Sequence, residues 1–139
     1  VVYKIPKPNS SEPFLLLGSG WHVFDPEYNT RTSMKNSEIL VVNPTNSEMY
    51  VTLNVVLNST EKEKTMTVSM NNEELTRVKL LQAFQNMQIK NLILKPGVNV
   101  VALDTDEFTL AAFGLEGAEI DKWEETTVSF NVRSISIIN

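Results

Sequence analysis

The chain has 139 residues, a net charge of −5, no cysteine and one histidine. That length suits one domain with a sizeable core, while the missing cysteine excludes disulfides, thiolate catalysis and thiolate-bound zinc. Scattered basic residues on an acidic chain argue against nucleic acid, and no apolar run approaches the ~20 residues that cross a bilayer as a helix.

The first residues, Val1-Val2-Tyr3-Lys4, carry neither an initiator Met nor a signal-peptide pattern. The chain therefore reads as a piece of a longer protein. Ile5 to Pro13 holds three prolines and reads as a linker, so residues 1–13 form a lead-in and 14–139 one β-sandwich domain. Phe14 to Leu17 is a short apolar run. Gly18-Ser19-Gly20 breaks it before Trp21-His22-Val23-Phe24. Asp25 to Thr30 reads as a loop, and Thr32 to Met34 as a short strand.

Glu38 to Asn43 and Met49 to Leu57 are the clearest strands. Val51, Leu53, Val55 and Leu57 share one face, and Tyr50, Thr52, Asn54 and Val56 the other. Period two over eight residues marks a half-buried strand. The six polar residues Asn43 to Glu48 are too many for the tightest hairpin, so they either join neighbouring strands or cross between sheets. Ser59 to Glu63 reads as a polar loop.

Thr65 to Met70 alternates again, and Asn71-Asn72 sits where a two-residue turn would. Asn accepts the positive φ that such a turn requires. The turn favours a strand over Glu73 to Leu81, although Glu, Leu, Arg and Lys are also good helix formers. Gln82 to Asn86 is irregular. Met87 to Leu94 and Val98 to Leu103 read as strands joined by Lys95-Pro96-Gly97-Val98, with Pro and Gly at the centre of a type II turn. Asp104 to Glu107 forms an acidic loop, Phe108 to Phe113 a buried strand and Gly114 to Glu125 a polar loop. In the last strand, Thr127 to Ile138, the apolar residues change phase between Val132 and Ile135. A bulge at Arg133-Ser134 is the simplest account, the alternative being that both faces are covered near the end of the strand. The sum is all-β: a two-sheet antiparallel jelly-roll sandwich.

Chemistry-bearing residues are few. His22 lies close to Ser19 and Asp25, but the strand, nucleophile elbow and helix that expose a catalytic serine are missing. His22 reads as a surface or loop-packing residue. Gly18-Ser19-Gly20 matches no phosphate-cradling pattern. Asp104, Asp106 and Glu107 read either as a solvated acidic turn or as hard oxygen ligands for calcium. Glu119 and Asp121 form a second acidic pair.

Sugar rings stack their apolar faces on exposed aromatics, so Trp21, Tyr28, Tyr50 and Trp123 are platform candidates. Trp21, after Gly20, suits a core plug as well, and Trp123 suits either a platform or a cap over the sandwich end. Two glycosylation sequons occur, at Asn9 in the lead-in and at Asn58 in a loop by composition.

Five short motifs carry a resemblance: Gly18-x-Gly20-Trp21-His22, Arg31-x-x-Met34, the strands through Leu57, Val68 to Glu73, and Leu94-Lys95-Pro96-Gly97-Val98-Asn99. Together they resemble an accessory domain that follows the membrane-spanning part of archaeal-type, glycosyltransferase-like membrane proteins. Thr32-Ser33 stands where that pattern has an aromatic, and Asn72 where it has glycine. Galactose-binding-like and carbohydrate-binding-module jelly rolls share the same turn grammar. The resemblance implies a jelly roll outside the membrane, in contact with glycans.

The expectation is a non-catalytic, extracytosolic domain of a membrane-attached or cell-surface protein with weak carbohydrate recognition. Trp123, Tyr28 and Trp21 are its candidate ligand residues. The alternative is an assembly module that packs on a neighbouring domain or subunit, marked by an exposed apolar patch. An enzyme would need a concave pocket in which His22 meets a carboxylate.

Overall fold

The computed structural model describes residues 11–106, 109–113 and 124–138. Among them every regular element is a strand: β1 (Phe14–Leu17), β2 (Trp21–Asp25), β3 (Thr30–Ser33), β4 (Asn36–Asn43), β5 (Met49–Ser59), β6 (Lys64–Met70), β7 (Glu73–Leu80), β8 (Gln85–Leu94), β9 (Gly97–Thr105), β10 (Thr109–Phe113), β11 (Glu124–Val128) and β12 (Phe130–Ile138). Sheet A has the order β1-β4-β9-β6-β7 and sheet B the order β2-β3-β12-β5-β8, while β10 pairs with β11. The fold is the all-β, two-sheet antiparallel sandwich that the alternation dictates.

Its core lies where the inward positions of the two sheets meet. Ile39 and Val41 of β4 and Val101 and Leu103 of β9 face Leu53, Val55 and Leu57 of β5 and Phe130 of β12, all without exposed surface. Burying each such side chain stabilises the fold by about 1.5–3 kcal/mol.

The connection from Asn43 to Glu48 crosses between sheets, since β4 lies in sheet A and β5 in sheet B. Asn43 is almost fully buried and holds it. Its Nδ2 donates to the carbonyls of Ser47 and Leu94, at 2.8 and 3.1 Å, and its Oδ1 accepts from Thr45 N and Oγ1. The Pro96-Gly97 turn crosses back from β8 to β9, with Gly97 at the positive φ of 91° that a type II turn requires. Asn99 closes it from inside. Its Nδ2 donates to Lys95 O at 2.9 Å and its Oδ1 accepts from Lys95 N at 3.1 Å and from Asn71 Nδ2 at 3.0 Å.

Asn71 and Asn72 have φ of 51° and 70°, the two left-handed residues of a type I′ hairpin between β6 and β7. Turn chemistry therefore overrides helix propensity over Glu73–Leu80. The break at Gly18 to Gly20 has a steric cause. Gly20 sits at φ 91°, and a Cβ there would lie 2.0 Å from Asn36 O.

The phase change in the last strand is a bulge. Val132 pairs with Leu57 and Ser134 with Val56, which leaves Arg133 as the extra residue. Two expectations are corrected. Thr127 to Ile138 is not one strand: Ser129 divides β11 from β12, because its N–H donates to Ser33 O and its carbonyl accepts from Thr60 N and the buried Lys64 Nζ. Asn58 does not lie in a loop either; it stands within β5.

Candidate functional site

The outward face of sheet B carries a ladder of polar side chains. Thr32 Oγ1 of β3 donates to Asn131 Oδ1 of β12 at 2.8 Å. Asn131 Nδ2 donates to Asn58 Oδ1 of β5 at 3.2 Å, and Asn58 Nδ2 donates to Gln82 O at 2.8 Å. Strand register places these residues side by side, Asn131 opposite Thr32 on one edge and Asn58 on the other. The amide of the Asn58 sequon is thus part of the fold's hydrogen bonding.

The β12 bulge comes two residues later. A bulged residue leaves the ladder and its side chain is re-aimed. Here the Arg133 guanidinium lies over the Phe84 ring, 3.8 Å from its centroid, a favourable cation–π geometry. Phe84 sits in the short connection before β8. Gln85 holds that connection, accepting from Leu81 N at 2.7 Å and donating to Lys79 O at 3.1 Å.

Arg133, Phe84, Asn131 and Thr32 meet Asp25 and Tyr28 around a depression of about 310 Å³. Asp25 Oδ1 accepts from Glu27 N at 2.9 Å, which caps the turn that carries Tyr28. Tyr28 is 66% exposed. The depression therefore combines an open aromatic plane, a fixed guanidinium fork and amide and hydroxyl groups that both donate and accept. That set suits a polar ligand with an apolar face.

Of the candidates read from the sequence, Tyr28 lines this depression. Trp21 does not. It packs on the core, edge-on to Phe130 at 6.0 Å, and its indole Nε1 donates to Glu38 O at 2.9 Å. Its plug reading matches this placement. Trp123 lies outside the described residues, as do Glu107, Glu119, Asp121 and the Asn9 sequon. Asp104 stands on the outward side of β9, and Asp106 Oδ1 accepts from Thr65 N at 3.0 Å. Among the described residues no group of three or more His, Cys, Asp or Glu comes together to hold a metal. Ser19 Oγ donates to Glu38 Oε1 at 2.8 Å, so the hydroxyl turns towards Glu38.

No sequence pattern marks Phe84 or Asn131 as a ligand residue, and the phase change marks Arg133 only as a bulge.

Two further surface features bear on function. A larger groove, about 720 Å³, separates the edge strands β7 and β8; Leu75, Met70 and Ile93 line it with Glu73 and Lys90, and none of its lining side chains is aromatic. On the outward face of sheet A, Phe14 and Leu16 of β1 stand beside Val42 and Leu40 of β4, and Val98 of β9 beside Val42. Leu16 and Val98 are 43% and 60% exposed. Among the described residues β1 is an outer strand of sheet A and its four residues are uncharged, whereas β7, the other outer strand, carries Glu73, Glu74, Arg77 and Lys79.

No protein-family model matches the chain, and no curated protein is similar to it. Solved structures are similar in fold. A Podospora anserina GH26-CBM35 β-(1,4)-mannanase superposes with a TM-score of 0.50 at 13% identity, over 88% of this chain and 28% of that one. A Xyl-CBM35 in complex with a glucuronic acid containing disaccharide gives 0.49 at 14% identity, over 90% and 92%. A family 35 carbohydrate binding module from an environmental isolate gives 0.48 at 15%, over 86% and 89%. The chain spans about a third of the length of a family two carbohydrate esterase from Clostridium thermocellum that it also matches. The archaeal-type membrane glycosyltransferase context has no counterpart in these structures. At such identities the likeness is one of fold alone, an antiparallel β-sandwich.

Proposed function

We propose that this chain is a non-catalytic carbohydrate-binding domain whose ligand lies on the outward face of sheet B. One observation carries the reading: the exposed Tyr28 stands in the same depression as Arg133, Thr32 and Asn131, the last two joined by a hydrogen bond that continues from Asn131 to Asn58. A sugar ring offers an apolar face to the tyrosine and hydroxyls to the amides and guanidinium. The open, polar rim suits weak binding, since few of these groups are desolvated before the ligand arrives. A glycan ligand also supports an extracytosolic address, on a membrane-attached or cell-surface parent. The test is a glycan array followed by calorimetry at millimolar sugar. Tyr28→Ala is expected to weaken whatever binds by roughly tenfold, the loss of about 1.4 kcal/mol of stacking. Silence on the array and in the calorimeter sinks the reading.

A second reading, assembly on a neighbouring subunit, is favoured by the apolar outward face of β1, β4 and β9. A sedimentation series checks it. Reversible self-association abolished by Leu16→Lys with Val98→Lys supports it, and a monomer at every concentration counts against it.

A further inference from the structure

The outward face of sheet B continues well beyond the Tyr28 depression. Along β5, Asn58, Val56, Asn54, Thr52 and Tyr50 all point outward, because the intervening Leu57, Val55, Leu53 and Val51 are buried. Asn58 accepts from Asn131, which lines the depression. Tyr50, at the opposite end, is 67% exposed. The eight steps between them in β5 cover roughly 26 Å at ~3.3 Å per residue.

Most neighbours of this strip are uncharged; the exception is Lys90 of β8, which stands with Asn91 opposite Thr52 where the β5–β8 register shifts. Ser134 and Ser136 of β12 flank Val56 and Asn54 on one side, and Asn86 and Gln88 of β8 flank them on the other. The bulge keeps Ser134 and Ser136 outward, since Ile135 turns into the core after it. Hydroxyls and carboxamides donate and accept in turn, as sugar hydroxyls do. An anionic polymer would need a row of cations along the same path, and between Arg133 and Tyr50 the described residues beside the strip offer only Lys90.

We infer that the ligand is a linear, uncharged polysaccharide bound along its length, with Tyr50 as a second aromatic platform. The inference rests on the carbohydrate-binding reading above and extends it. A pocket for a chain end would gain nothing once one or two sugar units were in place. A strip of this length with a platform at each end gains contacts with every unit added.

The test is a calorimetric titration of the chain with neutral β-linked oligosaccharides of increasing length, from about two to about six units. Affinity is expected to rise roughly tenfold or more over that range. Tyr50→Ala should remove most of the rise, lowering hexasaccharide affinity roughly tenfold and leaving the disaccharide unchanged. Tyr50→Phe, which keeps the ring, should bind like the parent. Tyr28→Ala should weaken both ligands. Equal affinity for short and long chains, or a Tyr50→Ala variant that binds the hexasaccharide normally, overturns the inference while the Tyr28 site stands. No binding of these chains at any length, with another glycan positive on the array, overturns the inference alone, and silence on the array as well overturns the carbohydrate reading. Far-UV circular dichroism of the Tyr50 variants checks the fold, which an exposed side chain does not hold together.

Discussion

Asn99 is a polar side chain with no exposed surface, and its five hydrogen-bonding contacts make it the keystone of one end of the sandwich. Truncation would remove the side-chain partner of both Lys95 N–H and Lys95 O at the turn, and a group left unsatisfied costs about 1–3 kcal/mol. Asn99→Ala is expected to lose about 2–4 kcal/mol of stability, read from the midpoint of urea unfolding. Gly20→Ala should lose a comparable amount, about 2 kcal/mol or more, because a methyl group would strike the Asn36 backbone and force a left-handed residue. An unchanged midpoint for either would contradict the geometry. These roles were only half visible in the sequence. Both residues belonged to short motifs, yet Val98 to Val101 is apolar on both parities apart from Asn99. Alternation there does not say which side faces inward.

The bulge in β12 is the element that joins scaffold to site. Without Arg133, Val132 would face inward, Ser134 outward and Ile135 inward in uninterrupted alternation. Deleting Arg133 is therefore expected to keep the fold, with a stability change of about 1 kcal/mol or less. The deletion should still reduce ligand affinity about as much as Arg133→Ala does, roughly tenfold, when titrated against the same saccharide. A deletion variant that binds normally would separate the bulge from function. In the β6–β7 hairpin, Asn72→Gly should raise stability by about 0.5 kcal/mol, because Asn-Gly is the preferred type I′ pair and Asn72 has φ 70°. A thermal shift of about 2 °C is the readout. The strands, this turn and the bulge were legible because each leaves a local mark: period two, a pair of asparagines, a change of phase. The destination of a strand leaves none. The chemistry of Asn43 to Glu48 and of Pro96-Gly97 bends the backbone, but the sheet that receives the next strand is decided by the whole apolar pattern.

At the scale of the molecule, the crossings make the two sheets one cooperative unit. β4 to β5 and β8 to β9 each pass between sheets, and Asn43 and Asn99 tie those crossings down. Unfolding followed by tryptophan fluorescence and by far-UV circular dichroism should therefore give coincident curves. Folding should take milliseconds to seconds, because β12 must find β3 and β5 from far along the chain. Two separated transitions would show that the sheets unfold independently. The same long-range pairing explains why the fold class could be read from the sequence and the site could not. Asp25, Thr32, Phe84, Asn131 and Arg133 share no local pattern; only the order of strands in sheet B gathers them. The short, uncharged outer edge of β1 has its own consequence for handling the protein. Sheets grow from edges that lack charge, and the β7 edge is guarded by four charged residues. Precipitation on concentration or long storage is thus expected to start at Phe14 to Leu17, and one lysine there is the cheapest preservative.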